Sequence, residues 1–168
     1  MRPSSACTRC RTAGFAFGRN FSVFSYAGAA RRLITSWKFA ARRRLSRYFV
    51  ALLAGALQEQ YPGLPLVPVP PRPGRRGRDP VERLARLLEA SRGVQVVRCL
   101  VRTGGVEQKS LDFAGRAENL KGRILLRPAA LAAGLPGRVV LLDDVFTTGA
   151  TADACARALR GAGCAAVD

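Results

Sequence analysis

The chain has 168 residues, 48% of them apolar, with 28 basic and 11 acidic side chains, a net charge of +17 and no histidine. That length and apolar share suffice for one globular domain with a small appendage and argue against disorder. The missing histidine excludes a Ser-His-Asp triad, a Cys-His pair and any His-containing zinc site, while the charge predicts attraction to nucleic acid or phosphorylated ligands. An Ala-rich, Arg-rich chain whose only lysines are Lys38, Lys109 and Lys121 is equally what a GC-rich genome would encode.

No apolar signal-peptide core follows Met1, and the longest apolar run, Phe49 to Leu57, is too short to span a bilayer, so a cytoplasmic chain without membrane contact is expected. Five cysteines, an odd number without a secretory signal, predict reduced thiols. Basic residues crowd the first two thirds. Residues 129–168 hold three basic and four acidic side chains, among them the pair Asp143-Asp144.

In chain order, residues 1–25 form a short lead containing Cys7 and Cys10. Helical spacing of Ala29/Ala30, Leu33/Ile34 and Trp37 predicts a helix from Gly28 to Phe39, and a second runs from about Arg43 to Gln60 and ends at Pro62-Gly63. Leu64 to Pro70 reads as a buried strand, followed by a Pro/Gly/Arg turn, Pro71 to Arg78. Asp79-Pro80 with Glu82 has the pattern of a capping box opening a helix. Val94 to Val101 is β-branched and predicts a strand, and residues 103–123 a long polar loop. Arg138 to Val145 reads as a strand, Thr147 to Arg160 as a helix stopped by Gly161 or Gly163, and Ala165 to Asp168 as the start of another strand. Strands alternating with helices imply an α/β fold whose mostly parallel sheet is flanked by helices.

The segment Val139-Val140-Leu141-Leu142-Asp143-Asp144-Val145-Phe146-Thr147-Thr148-Gly149-Ala150-Thr151 carries the chemistry. A buried strand leads to two acids, and a small-residue loop then opens a helix. Open α/β sheets bind ligands at the carboxyl ends of their strands. Backbone N–H groups at such a helix start, with the Thr147, Thr148 and Thr151 hydroxyls, suit a phosphate monoester, and Gly149 lets a ligand approach the backbone. Two carboxylates beside that cradle suit a ligand that also brings hydroxyl donors, or a bound Mg²⁺. Together these features describe a phosphorylated ribose. Gly161-Ala162-Gly163 mimics a dinucleotide fingerprint, but it follows a helix and precedes a strand, the wrong order.

This segment resembles the 5-phosphoribosyl-1-pyrophosphate (PRPP) motif of type I phosphoribosyltransferases. Further stretches extend the likeness to the ComF-type (competence protein F) branch over about residues 7–168. They are Tyr26-Ala27-Gly28 with Leu33-Ile34 and Trp37-Lys38-Phe39, Val67-Pro68-Val69-Pro70 with Arg75-Arg76-Gly77, and Gln108-Lys109-Ser110-Leu111 with Arg116 and Asn119-Leu120. The resemblance implies a PRPP-dependent phosphoribosyltransferase that joins a nitrogen acceptor to the ribose and releases pyrophosphate. Asp143 and Asp144 would hold the ribose hydroxyls at the catalytic centre, Thr147, Thr148, Gly149, Ala150 and Thr151 the 5-phosphate, and the turn Pro71–Arg78 would face the pyrophosphate. Residues 103–120, with Gln108, Lys109, Arg116 and Asn119, would be a loop that closes over the site. Arg75, Arg76 and Arg78 suit pyrophosphate through paired N–H donors, and equally suit a solvated basic turn. The likeness further implies Mg²⁺ with PRPP, a domain over residues 26–168 (helical lead 26–60, α/β part 61–168), and residues 1–25 as the remnant of a zinc ribbon. Cys7-Thr8-Arg9-Cys10 supplies only two of the four thiolates that structural Zn²⁺ takes. Where the family has an aromatic, an Asn or Asp and a Gln after Arg-Gly, this chain has Arg78, Asp79 and Pro80. The end at Asp168, inside a predicted strand, suggests a sheet missing its last element.

Alternatives of other classes are a non-catalytic PRPP sensor and a protein that handles single-stranded DNA in natural competence. Arg31, Arg32, Lys38, Arg42, Arg43, Arg44 and Arg47, near Tyr26, Trp37, Phe39 and Tyr48, suit strand binding by stacking plus charge. An amphipathic helix with its aromatics in the core explains the same residues.

Overall fold

The structure, a computed structural model, describes residues 14–39, 44–74, 79–104 and 123–168. Cys7, Cys10, Arg42, Arg43, Arg75, Arg76, Arg78, Gln108, Lys109, Arg116 and Asn119 lie outside the described residues.

Ten elements follow one another: α1 (Gly28–Phe39), α2 (Leu45–Gln60), β1 (Leu66–Pro68), α3 (Pro80–Arg92), β2 (Leu100–Arg102), β3 (Ile124–Leu126), α4 (Pro128–Ala133), β4 (Arg138–Leu142), α5 (Ala150–Gly161) and β5 (Ala166–Val167). β1, β4 and β5 form a parallel sheet in the order β1-β4-β5, with Leu66 opposite Val140 and Val139 opposite Val167. A bridge from Leu66 to Val96 adds residues 95–97 along the other side of β1. There the Leu66 N–H donates to the Gln95 carbonyl (2.8 Å) and the Val97 N–H to the Leu66 carbonyl (2.9 Å).

Side chains alternate across the strands, so the sheet buries two faces. Leu66, Val140 and Leu142 point into one core with Trp37, Phe49 and the α3 residues Val81, Leu84 and Leu88. Val67, Val69 and Val139 point into a second core with Cys155, Ala156 and Leu159 of α5. The result is a mixed α/β fold with a small, mostly parallel sheet between helical layers.

The predicted strand Val94 to Val101 does two jobs. Residues 95–97 run parallel to β1. Arg98 then pairs with Glu82 (2.9 Å) and Glu89 (2.8 Å) of α3, and β2 pairs antiparallel with β3. β-Branched composition favours extended backbone but does not choose its partner. The described part of the lead also has partners. The Gly18 N–H donates to the Val167 carbonyl (2.8 Å), and the Arg19 N–H to Asp168 Oδ1 (2.8 Å), so this stretch lies along the outer side of β5. Among the described residues no helix is long and apolar enough to cross a membrane.

Candidate functional site

The topology creates the crevice. From β1 the chain passes through α3, on one face, to residues 95–97. From β4 it passes through α5, on the other face, to β5. The two connections diverge, leaving a gap at the carboxyl ends of β1 and β4, the position where open α/β sheets take ligands. Asp143 and Asp144 are the first residues beyond β4.

Asp143 accepts a hydrogen bond from the Asp144 N–H at 2.8 Å. Its carboxylate reaches solvent, yet protein surrounds most of its other sides. This enclosure, reinforced by the charge of Asp144, pushes its pKa up to about 6. Water at the exposed edge moderates the effect. Asp144 turns the other way and pairs with Lys38 Nζ of α1 at 2.6 Å, with both side chains about one-fifth exposed. Asp79, the N-cap of α3, accepts from the Glu82 N–H at 3.0 Å. Burial raises its pKa, and so does the charge of Asp144.

The loop 147–149 and the start of α5 complete the site. Thr147 is exposed, Thr148, Ala150 and Thr151 are half-buried, and Gly149 is buried at φ +79°. Gly149 caps α5 without a side-chain bond, and the Ala150 N–H only approaches Thr148 Oγ1 at 3.4 Å. First-turn N–H groups of a helix lack intrahelical partners, and together with the helix dipole they favour an anion. The reason for glycine differs from the one expected from sequence. A Cβ at Gly149 would stand 3.1 Å from the rings of Phe15 and Phe146, so that side of the backbone faces aromatics and not open space.

A cavity of about 470 Å³ opens beside the acids, walled by Trp37, Phe49, Leu53, Phe21 and Phe146, with Asp143 and Asp144 at one end. Lys38 is the site residue whose role the sequence did not mark. It reads as one more cation of a basic helix, and only the packing of α1 against the sheet brings it to Asp144. Trp37 is core, donating from Nε1 to Ser46 Oγ at 3.0 Å. Arg31, Arg32, Arg44 and Arg47 are exposed, as are Tyr26 and Tyr48.

Among the described residues no three His, Cys, Asp or Glu side chains are grouped to hold a metal. Asp143 with a substrate's phosphate oxygens and water fits the way Mg²⁺ is usually bound, through one or two carboxylates. Cys99, Cys155 and Cys164 are buried free thiols in the second core, and among the described residues they belong to no group that could hold a metal. Comparisons with protein-family models, curated proteins and solved structures gave no match.

Proposed function

We propose that this chain is a ComF-type protein with a type I phosphoribosyltransferase fold, binding PRPP with Mg²⁺ and transferring its phosphoribosyl group to a nitrogen acceptor. One observation carries the reading. Two acids and an uncapped, glycine-opened helix start stand side by side at the carboxyl end of β4, where the chain directions diverge. An acceptor for hydroxyls beside a donor for phosphate is the complement of a ribose 5-phosphate.

In this reading Asp143 accepts hydrogen bonds from the ribose hydroxyls, and Lys38 holds Asp144 in place beside it. Thr147, Thr148 and the N–H groups opening α5 donate to the 5-phosphate. As the bond from C1 to pyrophosphate breaks and the bond to nitrogen forms, positive charge develops on the ribose ring, and the two carboxylates stabilise it. Asp143, together with the phosphate oxygens, would hold Mg²⁺, which when bound would supply positive charge beside the departing pyrophosphate. The nitrogen gives up its proton after attack. The reading carries a reducing, cytoplasmic setting, in which Cys99, Cys155 and Cys164 stay as thiols.

Calorimetric titration with PRPP tests it. Binding that requires Mg²⁺ and falls by about a hundredfold in Asp143→Asn/Asp144→Asn is expected, since two charge-assisted contacts are lost. A folded wild-type chain that does not bind would refute it. Exposed Arg44, Arg47 and Tyr48 along one end of α2 favour single-stranded DNA as a second ligand. That contact should weaken steeply with salt and with Arg44→Ala/Arg47→Ala, and absence of binding at low salt would end it.

A further inference from the structure

Residues 14–19 of the lead run as a strap along β5 and α5, with Phe15 against the loop that opens α5. Three backbone N–H groups tie the strap down. Ala16 donates to Asp153 Oδ1 of α5 (2.7 Å), Gly18 to the Val167 carbonyl (2.8 Å) and Arg19 to Asp168 Oδ1 (2.8 Å). Arg160 of α5 donates from Nη1 to the Ala16 carbonyl at 3.3 Å. A Cβ at Gly18 would stand 2.8 Å from Asp168 Oδ1, so the close approach to β5 uses the missing side chain. Phe15 and Phe17 stack with ring centroids 4.7 Å apart, and Phe17 meets Phe146 edge-on at 5.9 Å. Phe15 Cζ and Phe146 Cζ each lie 3.1 Å from the point where a Cβ of Gly149 would stand. The strap thus places one ring of the lead on the residue that opens α5.

We propose that Phe15 is a positioning residue of the anion site, holding Gly149 and the N–H groups that open α5 in the arrangement that receives a phosphate ester. The loop has little of its own to hold it. Gly149 has the conformational freedom of glycine, no side-chain bond caps α5, and the Ala150 N–H lies 3.4 Å from Thr148 Oγ1. A loose loop must be ordered when its ligand binds, at a cost in affinity, whereas groups locked from behind by packing are ordered beforehand. Phe15 acts through Gly149 and not on the ligand. Without its ring the competent arrangement is populated only part of the time, and apparent affinity falls by that fraction. That the loop receives a phosphate rests on the PRPP reading, whereas the ordering of the loop by the strap does not. Sequence alone drew residues 1–25 as a zinc-ribbon remnant apart from the site, and the strap makes residues 14–19 a support of it.

The test compares wild type, Phe15→Ala, Phe15→Leu and Val81→Ala as full ¹⁵N-labelled chains, with circular dichroism to check folding. Val81 is buried in the first core, so Val81→Ala lowers stability without touching the strap. Backbone relaxation dispersion reads the loop, and calorimetric titration with ribose 5-phosphate and with PRPP reads the site. Phe15→Ala should show millisecond exchange confined to residues 146–151 and bind both ligands about tenfold more weakly. Saturating ribose 5-phosphate should quench that exchange, because the bound ligand selects the competent arrangement. Phe15→Leu should fall between, since a branched apolar side chain refills part of the space, and it carries the test if Phe15→Ala does not fold. Val81→Ala should keep wild-type exchange in residues 146–151 and wild-type affinity. Phe15→Ala with wild-type relaxation or wild-type affinity overturns the proposal, and so does an equal loss in Val81→Ala. If wild type binds neither ligand, the PRPP reading fails and relaxation alone decides on the strap. Exchange confined to residues 146–151 then upholds it, and unchanged relaxation overturns it.

Discussion

At Gly149 backbone and packing make the same demand. Its φ of +79° suits glycine, and a Cβ would stand only 3.1 Å from the Phe15 and Phe146 rings, which would have to shift. Gly149→Ala should therefore cost about 1–3 kcal/mol in chemical denaturation, and it should weaken phosphate-ester binding as the start of α5 shifts. Wild-type stability would show that the rings move aside freely. Asp143 makes a different prediction. Its pKa is raised from 3.8 to about 6 in the folded chain, so the folded state keeps a proton that the unfolded state releases. The cost to stability begins above pH 3.8, grows until about pH 6 and is then constant. Asp143→Asn should match wild type near pH 4 and be more stable at pH 7.5, by on the order of 1 kcal/mol once solvent screening is counted. Between pH 5 and about 7 ribose 5-phosphate affinity should change differently in wild type and in Asp143→Asn, because the variant follows only the ligand's own phosphate ionisation and wild type adds that of Asp143. Wild-type and Asp143→Asn profiles of the same shape would remove Asp143 from the site.

Between elements, the Lys38–Asp144 pair joins α1 to the end of β4. The ammonium also favours the ionised form of Asp143. Lys38→Met should move the midpoint of the binding pH profile upward, whereas a purely structural lysine would lower stability and leave the midpoint unmoved. Asp79→Ala should cost about 1 kcal/mol by removing the cap of α3, measurable by urea denaturation. That cap was legible because it is local: Asp79, Pro80 and Glu82 are neighbours in the chain. The reciprocal half of the capping box was misleading, since the Glu82 carboxylate goes to Arg98 at 2.9 Å. The site acids and the glycine-opened helix were legible for the same local reason. β3, α4 and the division of residues 94–101 were not. Ile124–Leu126 is too short to show periodicity, and its pairing with Leu100–Arg102 spans a long polar stretch. Lys38 was equally hidden, because its setting is made by packing and not by neighbours in sequence.

Across the whole molecule the two cores divide the labour. The first, under α1, α2 and α3, holds Trp37 and positions Lys38, and the second, under α5, fixes the helix that Gly149 opens. The second core also encloses Cys99, Cys155 and Cys164, and burial raises all three thiols, Cys155 to about 12. In the native chain these three should resist alkylation at pH 8 and react together on unfolding, as peptide mass spectrometry would show. Early labelling of Cys155 would mean that α5 opens locally. The proposed ligand site lies where β1 and β4 end and their connections part. Amide chemical-shift mapping of the ¹⁵N-labelled chain, titrated with PRPP and Mg²⁺, locates the ligand residue by residue. Large shifts are expected in residues 69–74 and 143–151, with the exposed face of α2 around Arg47 and Tyr48 unmoved. Shifts confined to α1 and α2, or none at saturating PRPP, would contradict that placement.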